Sequence, residues 1–140
     1  MVNNKISSNI VDGLEEKIVS ATIDKKKIGY ENNREVNCSG ETTVILQDTD
    51  EIVSLRINNN ATITINTSQL TFPKYFYTVQ LYVWFPNGLK TVSLSTNLSE
   101  GIKYINGVTP DFSTPNGHWL VVRASHDWTK LIMSDAGVLM

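Results

Sequence analysis

The chain has one cysteine, two histidines and four prolines in 140 residues, and its longest apolar run is the five residues from Leu81 to Phe85. A lone Cys38 excludes an internal disulfide and a cysteine-built zinc site, and is expected to be a buried apolar thiol. Five residues fall far short of the ~20 that a membrane-crossing helix needs. The opening Met1-Val2-Asn3-Asn4-Lys5 lacks the apolar stretch of a Sec signal, so the chain is expected to stay in the cytosol or to be carried out by something else. Charge is also scarce: 12 basic against 14 acidic side chains give a net −2. That balance is wrong for a protein that grips nucleic acid or an anionic membrane, so neither a nucleic-acid partner nor membrane insertion is expected. Glycine-rich phosphate loops are missing as well, and no cofactor is expected.

What the chain has instead is neutral polarity. Asn, Thr and Ser make up 40 of the 140 residues, and 41% are hydrophobic, enough for one domain with one core. Sixteen of the 26 charged residues fall in positions 1–51, which points to a change of architecture along the chain.

Only one segment reads as helix. Asp12 can cap it, Glu15 can reach back as in a capping box, and Glu15 and Glu16 suit the positive end of the helix dipole. The helix is expected over about residues 13–20, and Val11, Leu14, Ile18 and Ala21, along it and at its two ends, recur at spacings of three and four, a coiled-coil seam barely two heptads long. Such a seam does not stand alone in water, so it is buried either on its own domain or against copies of itself. Lys25-Lys26-Lys27 then reads as a solvated linker.

From about Gly29 the period changes to two, with Val53, Leu55, Ile57 and Ala61, Ile63, Ile65 alternating with polar neighbours. Asn58-Asn59-Asn60 between them is read as a hairpin turn, because Asn tolerates positive φ. Residues 76–85 form the longest strand. Tyr77, Val79, Leu81, Val83 and Phe85 lie on one face, while Phe76, Tyr82 and Trp84 on the other call for cover by a sheet, a ligand or another subunit. Three Asn-Gly pairs, at 87, 106 and 116, signal type I′ turns. Further strands are expected over 90–96, 101–105, 118–124 and 128–133, the last two as a hairpin. About eight short strands with regular turn signals indicate an all-β fold, a jelly-roll-like antiparallel β-sandwich behind a short N-terminal helical stem.

Chemistry-bearing patterns are few. Ser125-His126-Asp127 places nucleophile, base and acid side by side, but a triad is assembled from separate elements with an oxyanion hole, so a turn is the simpler reading. Asp48-Thr49-Asp50-Glu51 lacks the glycine and distal glutamate of an EF-hand loop and reads as a solvated turn. No catalytic residue and no metal ligand is assigned. Among the aromatic residues, Tyr82, Trp84 and Trp128 are the candidates for contact with a subunit or a glycan, since an aromatic face stacks on a sugar ring.

Two stretches resemble bacteriophage fibre proteins. Ile10-Val-Asp-Gly-Leu14-Glu-Glu-Lys17 is similar to the short stem motif of head and tail fibres, which in those families forms a three-chain helical knot. Asn60-Ala-Thr-Ile-Thr-Ile65, Val79-Gln-Leu-Tyr-Val-Trp84, Ile102-Lys-Tyr-Ile-Asn-Gly107-Val-Thr-Pro110 and Trp119-Leu-Val-Val122 with Asp127-Trp128 resemble their small β-rich modules. The resemblance implies a homotrimeric head fibre of the virion, assembled in the host cytoplasm. Residues 1–9 would anchor to the major capsid protein, 10–34 would form the trimerisation stem and linker around Val11, Leu14, Ile18 and Ala21, and 35–140 the head. Adhesion to host surface glycans is a further implied role. The rival reading is a tail-fibre or carbohydrate-binding module, and a weaker one is a small polysaccharide-cleaving enzyme.

Overall fold

The computed structural model describes residues 33–71 and 78–138. The seam of Val11, Leu14, Ile18 and Ala21, the anchoring segment 1–9, and Phe76 and Tyr77 lie outside the described residues.

The described chain is all-β. Its strands are β1 Asn33–Ile45, β2 Ile52–Asn66, β3 Val79–Trp84, β4 Val92–Thr96, β5 Ile102–Tyr104, β6 His118–Ala124 and β7 Leu131–Val138. Alternation of period two explains them locally: in β2, Val53, Leu55, Ile57, Ala61, Ile63 and Ile65 are all buried and their neighbours are not.

The pairing differs from the antiparallel sandwich expected above. The strands form one seven-stranded sheet in the order β1-β2-β3-β6-β7-β5, with β4 attached to β2. The pairs β1–β2, β2–β3, β2–β4 and β5–β7 are parallel, and only β3–β6 and β6–β7 are antiparallel. The chain therefore retraces one path: Asn33 lies beside Ile52, which lies beside Gln80, and Gly40 lies beside Ala61, which lies beside Val92. Each coil stacks on the last, as in a short parallel β-solenoid. Parallel sheets are ordinarily covered on both faces. Here a coil encloses its own apolar face and turns a polar one outward.

The inner face stacks like on like. Val36, Leu55 and Val83 are in register, as are Thr42, Ile63 and Leu94. Leu120, Val122, Leu131 and Met133 of the β6–β7 hairpin complete the core, and each such side chain, fully buried, contributes about 1.5–3 kcal/mol. Outside, Thr43, Thr64 and Ser95 form a hydroxyl row, with Thr64 Oγ1 3.1 Å from Ser95 Oγ.

Asn58-Asn59-Asn60 is no hairpin turn. β2 continues through it as a bulge, taking four steps from Ile57 to Ala61 where β1 takes two from Cys38 to Gly40, and none of the three takes positive φ. Their amides serve neighbouring coils instead: Asn58 Nδ2 donates to Asn37 Oδ1 at 2.9 Å, and Asn60 Oδ1 accepts the Thr91 amide at 2.9 Å. Beside them, β1 carries a register shift between Cys38 and Gly40, with Gly40 at φ 63°, and β3 is separated from β4 by residues 85–91. Of the three Asn-Gly pairs, only Asn106-Gly107 has positive φ at both positions, 58° and 68°, and it closes a 3-10 turn rather than a hairpin. The β6–β7 hairpin is as expected, with β7 beginning at Leu131.

Candidate functional site

The outward face of β2, β3 and β6 gathers the large side chains. Because β2 and β3 are parallel with Ser54 beside Tyr82 and Arg56 beside Trp84, two rows form across the sheet. One row runs Glu35, Ser54, Tyr82, Trp119, Gly137, and the other runs Asn37, Arg56, Trp84.

In the first row, the Tyr82 and Trp119 rings are 4.9 Å apart between centroids and tilted by 36°, a cross-strand aromatic contact worth ~0.5–1.5 kcal/mol beyond its area. The hydroxyl end of Tyr82 also packs against Gly117, where an added Cβ would fall within 2.6 Å of Tyr82 Cζ. In the second row, the Arg56 guanidinium carbon stands 5.0 Å from the Trp84 ring centroid, a cation–π contact. Its Nε donates to Asn58 Oδ1 at 3.0 Å.

Tyr82 and Trp84 are thus brought together on one face, half-buried, but their cover comes from within the chain, from Trp119 and Arg56. The need for another subunit there, expected from the strand alone, is correspondingly reduced. Trp128 is not part of this face. It sits in the turn after β6, at the end of that strand remote from Trp119, with its amide donating to the Ser125 carbonyl at 3.0 Å. Its φ of 59° is uncommon for a bulky side chain. Arg56 was not singled out by sequence reasoning, and Trp119 stood there only as one aromatic among several. The alternation around Leu55 and Ile57 already turned Arg56 outward, but only the parallel register sets it beside Trp84.

Ser125-His126-Asp127 is the turn between β6 and β7. The Ser125 hydroxyl donates to Asp127 Oδ1 at 2.8 Å and accepts the Thr129 and Lys130 amides at 3.2 and 3.1 Å. Asp127 is also bonded by the Thr129 hydroxyl at 2.7 Å. Thr129 first, then Ser125, hold the Asp127 carboxyl down at about 2.

Asp48-Thr49-Asp50-Glu51 is the turn between β1 and β2 that was expected, but Asp50 is not solvated in it. Asp50 is 3% exposed and bonded to Arg34, while Asp48 accepts the Thr71 amide and hydroxyl at 3.1 and 2.7 Å. Among the described residues no group of three His, Cys, Asp or Glu side chains gathers as a metal site, and no helix is long and apolar enough to cross a membrane. Cys38 is fully buried, and burial pushes its thiol up to about 11.

Away from the face of Tyr82 and Trp84, an open groove of about 440 Å³ lies where Asn60, Lys90 and Thr91 meet Pro110, Asp111 and Phe112. Phe112 separates it from His118, which is fully buried, with the two rings 4.9 Å apart and edge to face. His118 Nε2 is 3.4 Å from the Thr114 carbonyl, and Nδ1 has no partner.

Comparisons with protein-family models, with curated proteins and with solved structures give no match.

Proposed function

We propose that this chain is a non-enzymatic structural protein of a bacteriophage virion: a homotrimeric head fibre that also adheres to host surface glycans. The observation that carries the reading is the stack of parallel coils β1, β2 and β3/β4 with a neutral hydroxyl-and-amide exterior. Such an architecture spends its residues on a self-supporting scaffold, and its wet but nearly uncharged surface suits close packing of copies. Exposed Ile45, Leu89, Ile105, Val108 and Val138 add apolar surface that association would hide. Threefold association itself rests on the seam Val11, Leu14, Ile18 and Ala21 rather than on Tyr82 and Trp84. Residues 1–9 are assigned to the major capsid protein as partner, by resemblance alone.

The test is Leu14→Asp, which places a carboxylate in the seam. The variant is expected to lose its threefold mass while keeping the β-type far-ultraviolet spectrum of the head. An unchanged mass would show that the stem does not set the assembly. The aromatic face of Tyr82, Trp84 and Trp119 favours the second reading, a carbohydrate-binding or tail-fibre module, in which sugar recognition is the main task.

A further inference from the structure

We infer that the outward face of β2, β3 and β6 binds a carboxylate-bearing saccharide, with Arg56 pairing the carboxylate and the Tyr82–Trp119 pair carrying a sugar ring. The inference rests on the adhesive part of the reading above and does not need threefold assembly.

Arg56 is the first reason. Its guanidinium is fixed on one face by Trp84, at 5.0 Å, and at Nε by Asn58 Oδ1, at 3.0 Å. Among the described residues that is its one hydrogen bond, so its two terminal amino groups remain for a ligand. A planar fork already held in place loses little further freedom on binding, and its paired N–H groups match the two oxygens of a carboxylate. Lysine, a point charge, would not offer that geometry.

The second reason is the neighbouring row. Two residues along β3 from Trp84, about 7 Å at the rise of a strand, Tyr82 packs on Trp119. Opposite Trp119 on β7 stands Gly137, where an added Cβ would meet none of the described residues within 4 Å. Among the described residues, no cross-strand side chain therefore fills the flank of the indole. Ring surface beside a fixed cation, rimmed by the neutral polar groups of Asn37 and Ser54, fits an acidic sugar better than an apolar peptide. Glu35, exposed on β1 in the Tyr82 row, is an acid on the same face, and Ser54 separates it from Tyr82. It opposes the anion from the side away from Trp119.

The experiment is a titration of the full chain with oligogalacturonate, its methyl ester and a neutral galactose oligomer, read by tryptophan fluorescence and saturation-transfer NMR. The acid is expected to bind at least about ten-fold more tightly than either uncharged sugar, the effect of one charge-assisted hydrogen-bonded pair. Arg56→Gln is expected to abolish that preference, Arg56→Lys to retain part of it, and Glu35→Gln to strengthen binding. Equal binding of acid and ester, an unaltered preference in Arg56→Gln, or no saturation transfer from any sugar overturns the inference. The acid–ester comparison uses the unmodified chain, so a variant that fails to fold leaves the test intact. Because none of these readouts measures mass, failure here is distinct from failure of the trimeric fibre.

Discussion

Arg34 and Asp50 face each other through two parallel hydrogen bonds, Nε to Oδ1 and Nη2 to Oδ2, each 2.8 Å long. Asp50 is 3% exposed and also accepts the Gln47 amide at 2.8 Å, while Arg34 Nη2 donates to the Ile45 carbonyl. The pair fastens the loop after β1 back onto the start of β1, closing the first coil. The Asp50 hydrogen bond raises the Arg34 pKa further, so the arginine stays charged throughout the accessible pH range. Asp50→Ala would leave that guanidinium without its carboxylate, holding only the Ile45 carbonyl. Since Arg34 is about one-third exposed, the cost is discounted from the fully buried case to about 2–3 kcal/mol. Urea unfolding of Asp50→Ala against the parent chain checks it, with a lowered midpoint expected.

Asn60 holds adjacent coils together through the Thr91 amide, and the Ala61 amide donates to the Thr91 carbonyl at 2.9 Å. Asn60→Ala removes the first bond and leaves the Thr91 N–H short of a partner. Both residues are exposed, so water replaces the lost bond, and a loss of about 0.5–1 kcal/mol is expected in the same unfolding assay, with the β spectrum retained. Asn60→Gly, if the segment were a hairpin turn, would instead be tolerated or stabilising; a stabilised glycine variant would contradict the continuous strand.

These residues also mark how far the sequence is legible. The buried row Val79, Leu81, Val83, Phe85 and the bounds of β6 follow from alternation alone. Strand direction does not, because period two is identical in parallel and antiparallel pairs. Asn58-Asn59-Asn60 misleads for the same reason: its amides suit a turn, and only contacts with Asn37 and Thr91, far away in sequence, show them bridging coils. Of the candidate site, Tyr82 and Trp84 were legible as a solvent-side pair on one strand. Trp119 and Arg56 join them only through long-range register, and Trp128 lies apart from them in the turn after β6, which the sequence does not show because an aromatic near a hairpin end carries no signal of which face it serves.

Gly117 lies against the Tyr82 ring. Gly117→Ala forces the half-buried ring away, and because only the far end of the Tyr82 side chain has to move the cost is expected to stay below about 1 kcal/mol. It should also disturb the Tyr82–Trp119 contact, seen as a change in near-ultraviolet dichroism. An unchanged aromatic spectrum would contradict the described packing.

Asp127 supplies a pH dependence. Its carboxyl is depressed in the folded chain to about 2, against about 3.9 when unfolded. Its stabilising effect is therefore complete above about pH 4 and is lost as the pH falls through about 2. Asp127→Asn is expected to flatten the decline in melting temperature between those two limits. A decline as steep as that of the parent chain would show that the turn does not hold the carboxylate ionised.

Cys38 is enclosed, and its thiol is pushed up to about 11. At pH 8 it is expected to resist a thiol-specific disulfide reagent in the native chain and to react in full once urea unfolds it. Rapid labelling of the folded protein would place Cys38 outside the core.

The most direct measurement of the whole account is the absolute mass of the full chain in solution by light scattering. The fibre reading predicts a value near three times the 15.7 kDa of one chain. A stable species at 15.7 kDa would contradict it.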